Sequence, residues 1–335
     1  MTEMTEGVVA SVDPGATAPP SAGRGRRGRR ARRLGAMTVR LLLTLLGLLT
    51  LLFFLVRLSG DPAGVLAGPS ATPQQLEAVR AGLGLDEPLL AQYAAFLGDV
   101  VRLDFGTSVF SGESALGTAL GALPATLVLL VTTMLVSVAV GIPCGVLLDR
   151  GGRVTRAVVG TSMTLAQAVP TFVLGILLIY LFAVRLGWLP AFGSGTAATL
   201  VMPTLALATF AIARTARMVA AELEQVEDQD FLRTAAAKGA STRRVLWRHA
   251  LPNAFPAVAA ALVVEISYLI SGAVVVEVLF AYDGIGKELV DAIFARDYPV
   301  VQACVFVIGV FVVVVNVVGD GLLRALDPRI ARARA

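Results

Sequence analysis

Glu265 is the residue whose type and setting most invite a chemical reading, because it is a carboxylate deep inside an apolar run. A charge at the centre of such a run costs about 2.5–3.5 kcal/mol on insertion scales. It is therefore expected either to face a polar path or to make a hydrogen-bonded contact between packed helices, and the residues alone leave both readings open. Gln167, with Pro170 just beyond it, marks a second polar and kinked stretch. For Gln167 the packing contact is the plainer reading. Asn316 and Asp320, near the end of the last apolar run, read as polar glue between helices.

Other chemistries are excluded by what the chain lacks. His249 is its one histidine, and Cys144 and Cys304 both sit in apolar surroundings, so no metal site and no disulfide framework can be built. The two cysteines read as small buried hydrophobes. No glycine-rich loop ends in Lys-Ser or Lys-Thr, and Lys238-Gly239 lacks the preceding glycine of a phosphate cradle. Tyr282-Asp283 and Gly319-Asp320 faintly echo intramembrane aspartyl proteases, but Val317 stands where that chemistry needs glycine and Asp283 falls outside an apolar run. No catalytic residue is assigned, and the chain reads as a non-enzyme.

The elements that must position these residues are membrane helices. With 56% apolar and 16% charged residues, the chain is too apolar for an ordinary soluble domain. Six runs reach the roughly 20 apolar residues of a span: Met37 to Val56, Thr126 to Leu148, Val158 to Val184, Leu200 to Ala221, Phe255 to Val276 and Val301 to Leu323. None shows the alternation of barrel strands, so the expected fold class is an all-α membrane protein with six transmembrane helices. Residues 1–36 form an Arg-rich tail, with seven arginines between Arg24 and Arg33, expected to be disordered. The following run, 37–56, is too long for a signal peptide and is expected to stay as an anchor.

Basic residues gather in alternate loops rather than on a nucleic-acid-binding surface. They cluster at Arg24 to Arg40, at Arg150, Arg153 and Arg156, at Arg214 to Arg248 and at Arg324 to Arg334. Most acidic loop residues, Asp86, Asp99, Asp104 and Glu113 among them, fall on the other side. The positive-inside rule then puts both termini in the cytoplasm. Trp188, just past the third run, suits a membrane interface.

Two loops carry signals of their own. In the external segment 57–123, Thr72 with Gln75 forms a capping box, Gly82 and Gly84 end that helix, and Leu89, Tyr93, Phe96, Leu97 and Val100 share one face of a second helix from Pro88 to Leu103. In the cytoplasmic segment, about 222–253, a short helix from Phe231 to Lys238 is cut by Gly239, restarts at Ser241 and is expected to stop at Leu251-Pro252. That punctuation alone would also suit a plain helix-turn-helix connector.

Asp230-Phe231-Leu232-Arg233-Thr234-Ala235-Ala236-Ala237-Lys238-Gly239 and Arg248-His249-Ala250-Leu251-Pro252-Asn253-Ala254 resemble the coupling loop of ABC-importer permeases, most closely the dipeptide, oligopeptide and nickel family. Arg233 and Thr234 replace the Glu-Ala that opens the general motif, as expected of the peptide subfamily, and His249 replaces an isoleucine. Gly60-Asp61-Pro62, Leu83-Gly84-Leu85-Asp86, Asp104-Phe105-Gly106-Thr107-Ser108, Ser271 to Glu277, Arg296-Asp297-Tyr298-Pro299 and Leu326-Asp327-Pro328-Arg329 are similarly family-like. Tyr282-Asp283, where a proline is common, and Leu323, where a tyrosine is common, depart from the pattern.

The resemblance, spanning roughly 37–330, implies a type I ABC importer permease with a core over 124–330 and a short tail at 331–335. Its long first loop matches the first of two paired permeases. Implied partners are a homologous second permease, two cytoplasmic ATPase subunits that would hold ATP and magnesium, and an external solute-binding protein, all at a bacterial plasma membrane. The implied coupling residues are Arg233, Thr234, Ala235, Lys238, Gly239, Leu251 and Pro252, while Glu265 and Gln167 are candidates for the path. Peptides lead as substrate, glutathione and other small solutes remain open, and nickel is disfavoured by the absence of histidine from the spans. The alternative is an ion-coupled carrier or channel acting alone, which would leave the organised loop without a purpose.

Overall fold

A computed structural model describes residues 39, 43–55, 63–64, 71–82 and 84–326. The Arg-rich tail, Gly60-Asp61-Pro62, Leu83, Asp327-Pro328-Arg329 and the C-terminal tail lie outside the described residues. Within them the chain is helical, the single extended feature being an isolated bridge between Thr107 and Ser114.

The first apolar run contributes α1, Leu43–Leu55. From Gly47 onward the described helices pack as one compact unit. Helix α2, Pro73–Gly82, begins at the expected box: Gln75 N donates to Thr72 Oγ1 (3.3 Å) and Thr72 N to Gln75 Oε1 (2.9 Å). Helix α3, Leu89–Arg102, turns Tyr93 and Phe96 onto the buried Phe53 of α1, and Thr50 meets the Tyr93 hydroxyl at 2.6 Å. This segment is thus tied to the first apolar helix rather than loose.

Four helices are long and apolar enough to cross a membrane: α4 (Ala115–Arg150), α7 (Ala197–Glu227), α9 (Thr242–Leu279) and α11, whose apolar part is Tyr298–Gly319. The third run differs from expectation. Instead of one helix from Val158 to Val184 it forms α5, Arg153–Ala168, and α6, Thr171–Arg185, which meet at 97°. Pro170 has no N–H to donate and pushes Val169 into an extended conformation (φ −88°, ψ 120°), so the helix breaks there. The described spans are therefore four continuous helices and one broken pair, with α1 a shorter apolar helix.

A second difference lies at Pro252. The helix expected to stop there runs on, because Leu246–Ala250 widen into a π turn just upstream. A π turn shifts the hydrogen-bond register, and the proline's missing N–H falls where no intrahelical partner is required. The short α8, Asp230–Ala237, precedes this helix, and α10, Ile285–Ala295, lies between the last two spans.

Close packing of α4 on α7 organises the middle of the fold. Ser137, Gly141 and Gly145 recur every fourth residue on α4, the small-residue spacing that lets membrane helices approach closely. A Cβ on Gly141 would come within 2.8 Å of Thr215, and one on Gly145 within 2.6 Å of Val219. The Ser137 and Thr215 hydroxyls hydrogen-bond across this seam at 2.9 Å.

Candidate functional site

Chemistry-bearing residues collect at three levels: the α8–α9 corner, the middle of α7 and α9, and the end of the bundle where α10 sits.

At the corner, Gly239 adopts φ +82°, a conformation open to glycine and strained for residues with a Cβ. Lys238 N donates to Thr234 O and Gly239 N to Ala236 O, closing α8, and the Ser241 hydroxyl caps the next helix by accepting from Arg244 N at 3.4 Å. Leu232 and Leu246 anchor the two arms in a buried cluster with Val219, Leu223, Ala250, Ala254 and Val258. Of the residues singled out from sequence, Ala235 and Leu251 are half-buried, with Leu251 against that cluster, while Arg233, Thr234, Lys238, Gly239 and Pro252 are exposed. Phe231 and Trp247 remain 39% and 51% exposed. Trp247 lines an open hollow with Ser241, Arg243, Arg244 and Arg248. The corner therefore presents two aromatic side chains and several cations from a rigidly seated base.

Midway along the bundle, Glu265 is 3% exposed and its Oε2 lies 3.0 Å from Arg214 Nε. The Arg214 guanidinium also covers the Tyr268 ring, 4.2 Å from its centroid, in cation–π geometry. Sequence reading placed Arg214 among cytoplasmic charges. In the structure it lies on α7 and pairs with Glu265 of α9, which explains how both charges are tolerated. The signal was present as two opposite charges in separate apolar runs, but their alignment is a matter of tertiary packing.

Gln167 sits at the end of α5 beside the break and is half-buried. No hydrogen bond or ion pair joins it to Glu265. Asn316 donates to Val312 O of its own helix at 2.8 Å.

This pairing predicts how variants of Glu265 behave. Glu265→Gln removes the counter-ion of a partly buried arginine, and breaking a buried pair from one side costs up to roughly 3–5 kcal/mol. The expected result is reduced transport in the single variant, and stability recovered when Arg214→Gln is added. Thermal unfolding of the detergent-solubilised protein checks this, and a double variant no more stable than Glu265→Gln would contradict it.

The third level was not read from sequence as a site. Glu277, completely buried, closes the N-terminus of α10: Gly286 N and Lys287 N donate to its Oε2 at 2.8 and 3.1 Å, and Thr126 Oγ1 donates to its Oε1 at 2.6 Å. Ile285 N donates to the same Thr126 hydroxyl at 2.9 Å. A carboxylate at a helix start matches the exposed N–H groups and the positive end of the dipole. Gly284 and Gly286 are glycines because a Cβ at either would run into this carboxylate. On α10 itself, the Asp291 carboxylate hydrogen-bonds Lys287 Nζ at 2.9 Å and holds its ammonium above the usual lysine range, while burial pushes the Glu288 carboxyl up.

At the other end of α10, Asp297 accepts from Ser108 Oγ at 2.5 Å and from Val109 N at 3.2 Å. Two motifs far apart in sequence, Asp104 to Ser108 and Arg296 to Pro299, are thus one contact, reinforced by Phe105 against Phe306.

Residues 141–332 match the family described as the binding-protein-dependent transport system inner membrane component, and residues 30–130 match its N-terminal membrane component. A probable peptide ABC transporter permease of Sinorhizobium fredii is 41% identical over 289 residues, covering 83% of this chain and 92% of the relative. The glutathione transport system permease protein GsiC of Escherichia coli is 36% identical over 285 residues, covering 83% and 91%. The inward-facing MetNI methionine ABC transporter superposes with a TM-score of 0.54 at 21% identity, over 63% of this chain and 96% of that one, a likeness of fold. The matched stretch holds the α8–α9 corner, the Arg214–Glu265 pair and α10, and the chain belongs to the family of binding-protein-dependent transport system inner membrane components, the permeases of ATP-driven importers.

Proposed function

We propose that this multi-pass permease forms half of the translocation pathway of an importer of peptides or similar small solutes, and that the α8–α9 corner receives the thrust of a separate ATPase. The observation that carries the coupling assignment is the corner itself. It exposes Phe231, Trp247 and a group of cations while its two arms are seated through Leu232 and Leu246 in the bundle core. An apolar-and-basic knob on a stiff base suits a lever driven by a partner subunit, because force applied at the corner is transmitted to α7 and α9 without loss in a flexible loop.

The partners in this reading are a homologous second permease, two cytoplasmic ATPase subunits carrying ATP and magnesium, and an external binding protein. The peptide and glutathione relatives support a peptide-like substrate. Both termini lie in the cytoplasm of a bacterial plasma membrane, supported by the clustering of arginines in alternate loops. ATP binding draws the ATPases together, the corner moves with them, and the bundle rocks to open the path outward. Hydrolysis resets it. Glu265 borders the path, whereas Gln167 beside the α5–α6 break has less to support that role.

Affinity purification of this chain from its native membrane is expected to bring down a second permease and an ATPase in stable association. Recovery of this chain alone in a form that still transports would overturn the reading in favour of a self-sufficient carrier.

A further inference from the structure

Arg214 and Glu265 do not close on each other. Nε of Arg214 lies 3.0 Å from Oε2 of Glu265, and Glu265 Oε1 is buried without a hydrogen-bond partner. Among the described residues, the remaining guanidinium nitrogens meet no acceptor. A purely structural pair between membrane helices would be expected to engage both carboxylate oxygens in a fork, since each unmet donor or acceptor there is costly. Here 28% of the arginine side chain stays exposed, and Tyr268, whose ring lies beneath it, is 56% exposed.

That exposed face continues as a polar strip. Arg217, one turn along α7 from Arg214, and Ser271, one turn along α9 from Tyr268, are both exposed. Guanidinium groups do not face lipid without a large cost, so the strip meets water or protein. Glu265 meets the arginine at Nε and the aromatic ring lies under its plane, and the terminal N–H groups have no acceptor among the described residues. A planar set of donors of this kind matches a carboxylate and repels a bare cation.

We propose that Arg214, positioned by Glu265 and Tyr268, binds the free carboxylate of the transported solute, an assignment that rests on the reading of this chain as half of a translocation path. The substrate class is then a small solute ending in a carboxylate, such as a peptide, and not a metal cation.

The test uses the complete importer, purified in detergent with its second permease and ATPase subunits, nucleotide-free and without the binding protein. It is titrated with trialanine and with trialanine C-terminal amide. The parent is expected to bind the acid about tenfold or more tighter than the amide, the difference of one strong charge-assisted contact. Arg214→Lys keeps part of that preference. The double variant Arg214→Gln with Glu265→Gln, which leaves no lone buried charge, is expected to lose it while still co-purifying with the second permease.

Equal binding of acid and amide by the parent, or binding of neither, overturns the assignment. So does a double variant that keeps the parent's preference, or one that sheds the second permease, which would make Arg214 a contact between subunits. ATP-driven uptake of trialanine by parent vesicles reports separately on the importer reading. No uptake overturns that reading and this assignment together, whereas uptake with equal binding of acid and amide overturns the assignment alone.

Discussion

Gly239→Val is expected to reduce substrate uptake by about tenfold or more while the chain still inserts and accumulates. At φ +82° the Cβ of an L-residue crowds its own backbone, at about 1–2 kcal/mol, and a β-branched side chain is the worst case. Nothing lies within 4 Å of the position a Cβ would take, so the penalty is conformational and not a clash. The backbone escapes by rotating toward negative φ, and that rotation re-aims α8 relative to the start of α9. Gly239 itself lies outside the spans, so stability should change little. Uptake and binding-protein-stimulated ATP hydrolysis should fall together in reconstituted vesicles. Gly239→Ala should be milder, because its strain is smaller and any residual corner is nearer the original. Parental uptake by Gly239→Val would show that the corner is only a connector.

Glu277→Leu is expected to act in the opposite way, on folding more than on coupling. The substitution removes the acceptor for Gly286 N and the Thr126 hydroxyl, both buried, and for the partly buried Lys287 N. Each orphaned donor costs about 1–3 kcal/mol, which is a large part of the stability of most domains. The leucine cannot spread into the site, since Gly284 and Gly286 press against the carboxylate. The α10 helix should detach from α4 and α9, and accumulation of folded chain should fall several-fold. Glu277→Gln keeps one acceptor oxygen and should fall between the two. Accumulation and unfolding temperature in detergent measure the effect, and a leucine variant as abundant and as stable as the parent would contradict this role for Glu277.

How far the fold was legible depended on the range of the interactions involved. The Thr72 capping box, the Gly239 corner and the Ser241 cap act within a few residues, so residue type alone located them. The long apolar runs were legible because lipid demands them. Pro170 and Pro252 look alike on paper, yet one breaks a helix at 97° and the other is absorbed by a π turn. Which outcome follows depends on the hydrogen-bond register upstream, and no local pattern records it. Helix α10 was missed because its first turn is capped by Glu277, eight residues back on a preceding helix, instead of by its own first residues.

The candidate sites divide in the same way. The break at Gly239 and the restart at Ser241 were legible locally, whereas the inward turn of Leu232 and the outward turn of Arg233 appear only in the fold. Glu265 was marked by its cost in an apolar run, but its pairing with Arg214, counted in sequence among the cytoplasmic charges, exists only once α7 and α9 have packed. Ser108 with Asp297 shows the same limit, since each stands in a recognisable motif and their hydrogen bond exists only once α10 and α11 have packed.

The central claim is that this chain moves a solute under the drive of ATP hydrolysed elsewhere. Its most direct test is uptake of labelled trialanine into vesicles containing this chain, its second permease and its ATPase subunits, with the binding protein supplied on the receiving face. Accumulation that requires ATP and stops when the ATPase subunits are left out is the predicted result. Accumulation by this chain in the absence of ATPase subunits, driven by an ion gradient, would contradict it.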